Sequence, residues 1–201
     1  ERVAEFADAE ELRRAGLYPY FRALRSAQEP EVMWEGRRTL MFGWHNYLGL
    51  SRHPEVVAAA KRALDEFGTG CGGSPFLNGR LALHEELEEE LADFLGKQGA
   101  LLFTTGYQAN LGVYGALAGR GTTVVADREA HASTLDACRL AGCRLRRFAH
   151  NDVGAAERLL DEARGGAILS VEGVYSMTGS RAPLAAFARL AEEKGAALVL
   201  D

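Results

Sequence analysis

The chain has 201 residues, 47% of them hydrophobic and 25% charged, with a formal net charge of −5. That is enough apolar material to bury one sizeable core, and the acidic balance supplies no basic field for nucleic acid. No apolar run approaches the roughly 20 residues that span a bilayer, and residues 1–11 are too acidic for a secretory signal, so the chain reads as cytoplasmic with no transmembrane segment. Cys71, Cys138 and Cys143 make no paired framework and read as reduced thiols. The five histidines show no metal-ligand spacing, so no metal site is expected.

In chain order, residues 1–16 read as a helical arm ending near Gly16, followed by an irregular stretch with Pro19 and Pro30. Residues 32–42 alternate around Glu35-Gly36, a β-hairpin pattern. A helix is expected from Ser51, as its N-cap, to about Phe67, with Pro54 tolerated in the first turn. Residues 68–79 then carry five glycines and close on Asn78-Gly79, which describes a loop whose backbone must turn tightly or approach another chain segment. Leu81 to Leu95 repeats apolar residues at helical spacing and stops at Gly96. Beyond it, strands at 100–103, 122–126, 143–148, 167–171 and 197–200 alternate with helices at 107–117, 133–140, 152–163 and 184–194. Apolar strands joined by crossover helices imply an α/β fold with a mostly parallel sheet covered on both faces. Arg144, Arg146 and Arg147 read as the solvated face of one strand. Because the first residue is not Met and Asp201 ends what reads as a buried strand, the chain is expected to be truncated.

Ligands of such sheets sit at the carboxyl ends of the strands. After residues 100–103 comes Thr104-Thr-Gly-Tyr-Gln-Ala-Asn110, where a helix start can bind phosphate through its N–H groups and Tyr107 can stack on a flat ring. After 122–126 comes Asp127-Arg-Glu-Ala-His131, with an imidazole at a strand-to-helix junction. After 167–171 comes Glu172, a carboxylate that is costly there unless it is hydrogen-bonded. The last strand ends in Asp201, which suits a cofactor whose ring nitrogen must stay protonated.

These residues resemble the α-oxoamine synthases, a family of pyridoxal-phosphate (PLP) enzymes of fold type I. The resemblance is carried by Asn46-Tyr-Leu-Gly-Leu50, the glycine loop with Leu83-His-Glu-Glu-Leu-Glu88, Thr105-Gly-Tyr-Gln-Ala-Asn110, Asp127 to Ser133, Leu145 to Asp152, Glu172-Gly-Val-Tyr-Ser-Met177 and Asp201. It implies a PLP-dependent transferase fold type I, with residues 1–50 as an N-terminal arm and hairpin and residues 51–201 as the first part of the large PLP-binding domain. It also implies a decarboxylating condensation of an amino acid with an acyl-CoA, and a homodimer with shared active sites. By resemblance, Asp201 pairs with the pyridinium nitrogen and His131 stacks on the ring. Thr105, Gly106 and Tyr107 hold the phosphate end or flank the ring, Glu172 and Ser176 lie beside the ring, and Asn46 meets the substrate carboxylate. Ser74, with the rest of residues 74–78, helps shape the acyl or amino-acid site. His131, Asp201 and Glu172 are the catalytic candidates.

Residues 74–79 and 40–43 look closest to bacterial serine palmitoyltransferases of sphingolipid synthesis, and residues 146–152 look like 8-amino-7-oxononanoate synthase of the biotin pathway. The Schiff-base lysine of the family has no counterpart within residues 1–201, since Lys61, Lys97 and Lys194 sit in no suitable motif. Thr178 stands where an acidic residue is common, and Trp44 where a small polar one is; both bear on substrate preference. A non-catalytic partner subunit and a plain aminotransferase are the alternative readings.

Overall fold

Thr122–Asp127, Gly166–Val171 and Ala197–Leu200 are short, mostly β-branched or aliphatic segments bounded by Gly and polar residues, and each becomes a strand. The computed structural model describes residues 8–201. These fall into two compact units that divide between Arg80 and Leu81.

The first unit opens with α1 (Asp8–Arg14), so the start of the expected arm, residues 1–7, lies outside the described residues. Strands β1 (Glu31–Trp34) and β2 (Arg37–Leu40) pair antiparallel around Glu35 and Gly36, both at positive φ, the turn that suits the twist of a two-residue hairpin. Helix α2 spans Pro54–Phe67. Ser51 is not its N-cap: it lies in a 3-10 turn (Leu50–Arg52) with its N–H bonded to Asn46 Oδ1 at 3.2 Å. His53 occupies the cap position without a side-chain bond, and Pro54 at the first helical position adds no orphan N–H of its own.

The glycine loop folds onto a single carbonyl. Ser74 O accepts the N–H groups of Leu77, Asn78 and Gly79 at 2.9, 3.1 and 2.9 Å. A Cβ at Gly79 would lie 1.8 Å from the Gly73 carbonyl oxygen, whereas one at Gly72 would meet nothing within 4 Å. Close backbone approach therefore requires glycine at Gly79, whereas Gly72 has room for a side chain.

In the second unit, α3 (Ala82–Leu95) ends where Gly96 turns left-handed, as the residues beyond a helix terminus often must. Helix α4 (Gly106–Leu117), β3 (Thr122–Asp127), α5 (Ala132–Ala141), β4 (Arg144–Phe148), α6 (Val153–Asp161), β5 (Gly166–Val171), α7 (Leu184–Glu193) and β6 (Ala197–Leu200) follow in alternation. The strands form one parallel sheet in the order β4-β3-β5-β6. One face buries Val125, Phe148, Leu169 and Val171 against Phe187 and Leu190 of α7 and Leu160 of α6. The other buries Val124, Ala126 and Ile168 against Tyr114 of α4 and Ala137 and Cys138 of α5. Alternate residues of each strand thus feed opposite cores, as expected for a doubly covered sheet. Burial pushes the Cys138 thiol up to about 12.

Residues 100–103, expected as a strand, join no ladder among the described residues. The Leu102 N–H is taken instead by the nearly buried Glu88 carboxylate of α3, at 2.9 Å. An apolar run acquires strand character only from a neighbour that supplies the ladder, and sequence periodicity cannot report one. Among the described residues, no helix is long and apolar enough to cross a membrane.

The Gly79→Ala variant of the full-length protein should lose about 1–3 kcal/mol of stability through the forced backbone shift. Gly72→Ala should stay within about 0.5 kcal/mol. Denaturant unfolding of the two variants side by side checks this.

Candidate active site

Parallel pairing puts the carboxyl ends of β3, β5 and β6 at one edge, and the polar residues just beyond them converge there. The β5–β6 ladder runs one residue past both strands: the Asp201 N–H donates to Val171 O at 3.0 Å, and the Gly173 N–H donates to Asp201 O at 2.9 Å. Asp201 is thus fixed by its own backbone. Its side chain is fixed by Asn110, whose Nδ2 donates to Asp201 Oδ2 at 2.7 Å.

Asn110 Nδ2 also donates to the fully buried Ser133 hydroxyl at 2.9 Å. Ser133 Oγ in turn lies 2.6 Å from His131 Nδ1, and the Ser133 N–H donates to the same nitrogen at 3.2 Å. A backbone N–H can only donate, so Nδ1 is the acceptor and the neutral ring carries its proton on Nε2. The hydrogens then run in one direction. Asn110 gives one amide hydrogen to the carboxylate and the other to Ser133, which passes its hydroxyl hydrogen to His131.

Glu172, 6% exposed at the end of β5, accepts the His131 backbone N–H. This ties the start of α5 to the neighbouring strand. Burial pushes the Glu172 carboxyl above its usual range; the His131 N–H opposes the shift, and the nearby Asp201 and Asp127 charges add to it. Thr105 caps α4 by accepting the Gln108 N–H at 3.1 Å. Helix geometry leaves the first-turn N–H groups of Gly106 and Tyr107 without an intrahelical carbonyl, and a Cβ at Gly106 would meet nothing within 4 Å. The Tyr107 ring stands edge-on to His131, with centroids 6.3 Å apart. Its hydroxyl donates to Asp136 of α5, a bond that pushes the phenol up and the carboxyl down.

The structure therefore brings together His131, Asp201, Glu172, Thr105, Gly106 and Tyr107 at one edge of the second unit. Ser176 sits exposed in the turn that follows Glu172. Asn46 and Ser74 belong to the first unit. Asn46 lines an open cleft of about 410 Å³ together with Glu29 and Arg52, which form an ion pair at 2.6 Å. The Ser74 hydroxyl accepts the Phe76 N–H at 3.2 Å. Lys194, read as a solvated helix residue, spends its ammonium on Asp161 and Glu157 at 2.7 and 3.1 Å, and these bonds raise its pKa.

The sequence alone assigns no role to Asn110 or Ser133, although both lie in motifs that carry the resemblance. One signal was available: Asn110 shares a helical face with Tyr114, four residues on, and both are buried. A polar residue on the apolar stripe of a helix needs a partner.

Residues 38–201 match the sequence pattern of the family described as "Aminotransferase class I and II". The chain belongs to that family. Among its curated relatives, the serine palmitoyltransferase of Sphingobacterium spiritivorum is 41% identical over 100% of this chain and 51% of that protein. The 8-amino-7-oxononanoate synthase of Geobacter sulfurreducens is 43% identical over 96% of this chain and 50% of that protein. Both relatives are α-oxoamine synthases. Among solved structures, a serine palmitoyltransferase from S. paucimobilis with a bound PLP–myriocin aldimine superposes with a TM-score of 0.91 at 37% identity, covering 98% of this chain and 51% of that one. The α/β fold is thus that of PLP-dependent fold type I, and the chain spans about half the length of the relatives it matches.

Within this aminotransferase-family fold, the raised pKa of Glu172 sets a direction for stability. A carboxyl raised on folding adds stability below its unfolded pKa and loses it as pH rises through the folded value. Glu172→Gln keeps an acceptor for His131 and removes the titration. In the full-length protein its Tm should therefore exceed wild type at pH 7–8, and the gap should shrink as pH falls toward about 4. Thermal unfolding across that range checks the sign.

Proposed function

We propose that the full-length protein is a PLP-dependent α-oxoamine synthase that condenses an amino acid with an acyl-CoA, releasing CoA and CO2 and leaving an aminoketone. The observation that carries this reading is the Asp201–Asn110–Ser133–His131 network at the carboxyl edge of the sheet, beside the open first turn of α4.

The donor set fits the cofactor. Two unpaired N–H groups at a helix start suit a phosphate, an imidazole suits the face of a flat ring, and an anchored carboxylate suits a protonated ring nitrogen. When bound, pyridoxal phosphate supplies an electron sink for the substrate α-carbon. The chain's own residues act around it. Asp201, oriented by the Asn110 amide, would face the ring nitrogen and favour its protonated form. His131, whose Nδ1 is committed as an acceptor, would present its Nε2–H toward the ring. Gly106 and Tyr107 give their N–H groups to the phosphate, with Thr105 fixing the turn that aims them. Glu172 and Ser176 would flank the ring.

Serine with a long-chain acyl-CoA is the preferred substrate pair. It is supported by the likeness of residues 74–79 to bacterial serine palmitoyltransferases and by the fit to the S. paucimobilis enzyme. The alternative is alanine with a pimeloyl thioester, supported by residues 146–152 and the Geobacter relative. The exposed Phe76 and Leu77 of the glycine loop suit a homodimer interface.

Full-length protein should release CoA with serine and long-chain acyl-CoA faster than with alanine or glycine and shorter thioesters. Asp201→Asn should lower kcat by about 10²-fold or more. Protein that takes up no PLP, or releases no CoA with any of these pairs, would contradict the reading.

A further inference from the structure

One buried carboxylate has no part in this scheme. Asp127, fully buried at the end of β3, is held by several hydrogen bonds: Oδ1 takes the Glu129 N–H at 2.8 Å and His150 Nδ1 at 3.0 Å, and Oδ2 takes the Asn151 N–H at 2.8 Å. Facing a carboxylate, His150 Nδ1 carries the proton, so Nε2 accepts. Its donors are the Ser180 hydroxyl at 2.8 Å and Asn151 Nδ2 at 3.2 Å. Thr178 Oγ1 lies 2.8 Å from Ser180 Oγ and backs the hydroxyl. The Asn151 amide also reaches Arg181 O at 3.1 Å, leaving its Oδ1 buried without a partner. The Tyr175 ring packs edge-on to His150, with centroids 4.5 Å apart.

Ser180, Arg181 and Tyr175 all belong to a small hairpin between β5 and α7. It is closed by the Val174–Arg181 bridge, the Tyr175 N–H to Ser180 O bond (2.9 Å) and the Gly179 N–H to Tyr175 O bond (2.8 Å). Its tip exposes Met177 to 89%. So short a hairpin is not stable on its own ladder, yet it begins at Glu172 and carries Ser176. Asp127, His150 and Ser180 stand in the order of an acid–base–nucleophile relay. The Ser180 N–H, however, faces Thr178 Oγ1 at 3.4 Å, and Nε2 is shared with Asn151. The arrangement holds; it does not attack.

We propose that Asp127 and His150 are positioning residues that clamp the 172–182 hairpin to the end of β3 through Ser180, and so set Glu172 and Ser176 at the cofactor edge. This rests on the PLP reading of that edge.

The test uses full-length wild type, Ser180→Ala, Ser180→Thr and His150→Gln, with amide hydrogen exchange measured on the cofactor-free form and PLP affinity by absorbance titration. Ser180→Ala and His150→Gln should speed exchange across residues 173–182 by about fivefold or more, the worth of one lost hydrogen bond, while β3 and β5 keep wild-type protection. PLP affinity should fall by a similar factor. Ser180→Thr, which keeps the hydroxyl, should match wild type in both, and Ser180→Ala carries the test if His150→Gln does not fold. Unchanged exchange in the hairpin, equal loosening across the sheet, or a loosened hairpin with wild-type PLP affinity would each overturn the proposal. Wild-type protein that binds no PLP would instead overturn the reading of the edge itself, and the positioning role with it.

Discussion

The parallel pairing of β3 with β5, from Thr122 opposite Gly166 to Ala126 opposite Ser170, is the constraint on which the rest of the second unit depends. Parallel strands cannot be joined by tight turns, so each connection crosses over through a helix. Every strand therefore delivers its carboxyl end to the same edge. Asp127, Glu172 and Asp201 arrive there as three carboxylates at the tips of three neighbouring strands. Such crowding is unfavourable unless each charge has donors of its own.

The structure answers with a separate donor set for each. Asp201 receives a side-chain amide from α4, Glu172 receives the backbone N–H that opens α5, and Asp127 receives an imidazole and two backbone N–H groups. Two of these answers also join elements that the ladder does not: α4 to the end of β6, and the start of α5 to the end of β5. The polar edge consequently fixes the helix starts relative to the sheet, and the same bonds that satisfy the carboxylates orient the groups around them.

Local pattern made much of this legible. The strands at 122–126 and 167–171 and the stop at Gly96 follow from residue type and period within a few positions. Glu172 and Asp201 stand one position beyond their strands and His131 a few residues beyond its own, so the pattern alone points to them. It does not point to the partners that hold them, because Asn110 meets Ser133 across 23 residues and His150 meets Ser180 across 30, separations at which no periodicity operates. Ser51 and residues 100–103 depart from the pattern because their roles depend on neighbours that the pattern does not carry. A serine caps only from the position directly before the first helical residue, which His53 holds here, and an apolar run is a strand only beside another.

The Asn110–Asp201 bond spans 91 residues, which has a kinetic consequence. Closing a loop of that length costs chain entropy before any contact repays it, and sheets dominated by distant pairings fold slowly for that reason. The amide of α4 can reach its carboxylate only after β3, β5 and β6 have all docked in sequence-distant register. The polar edge is therefore a late product of folding, and its formation reports that this unit of the chain has reached its final topology.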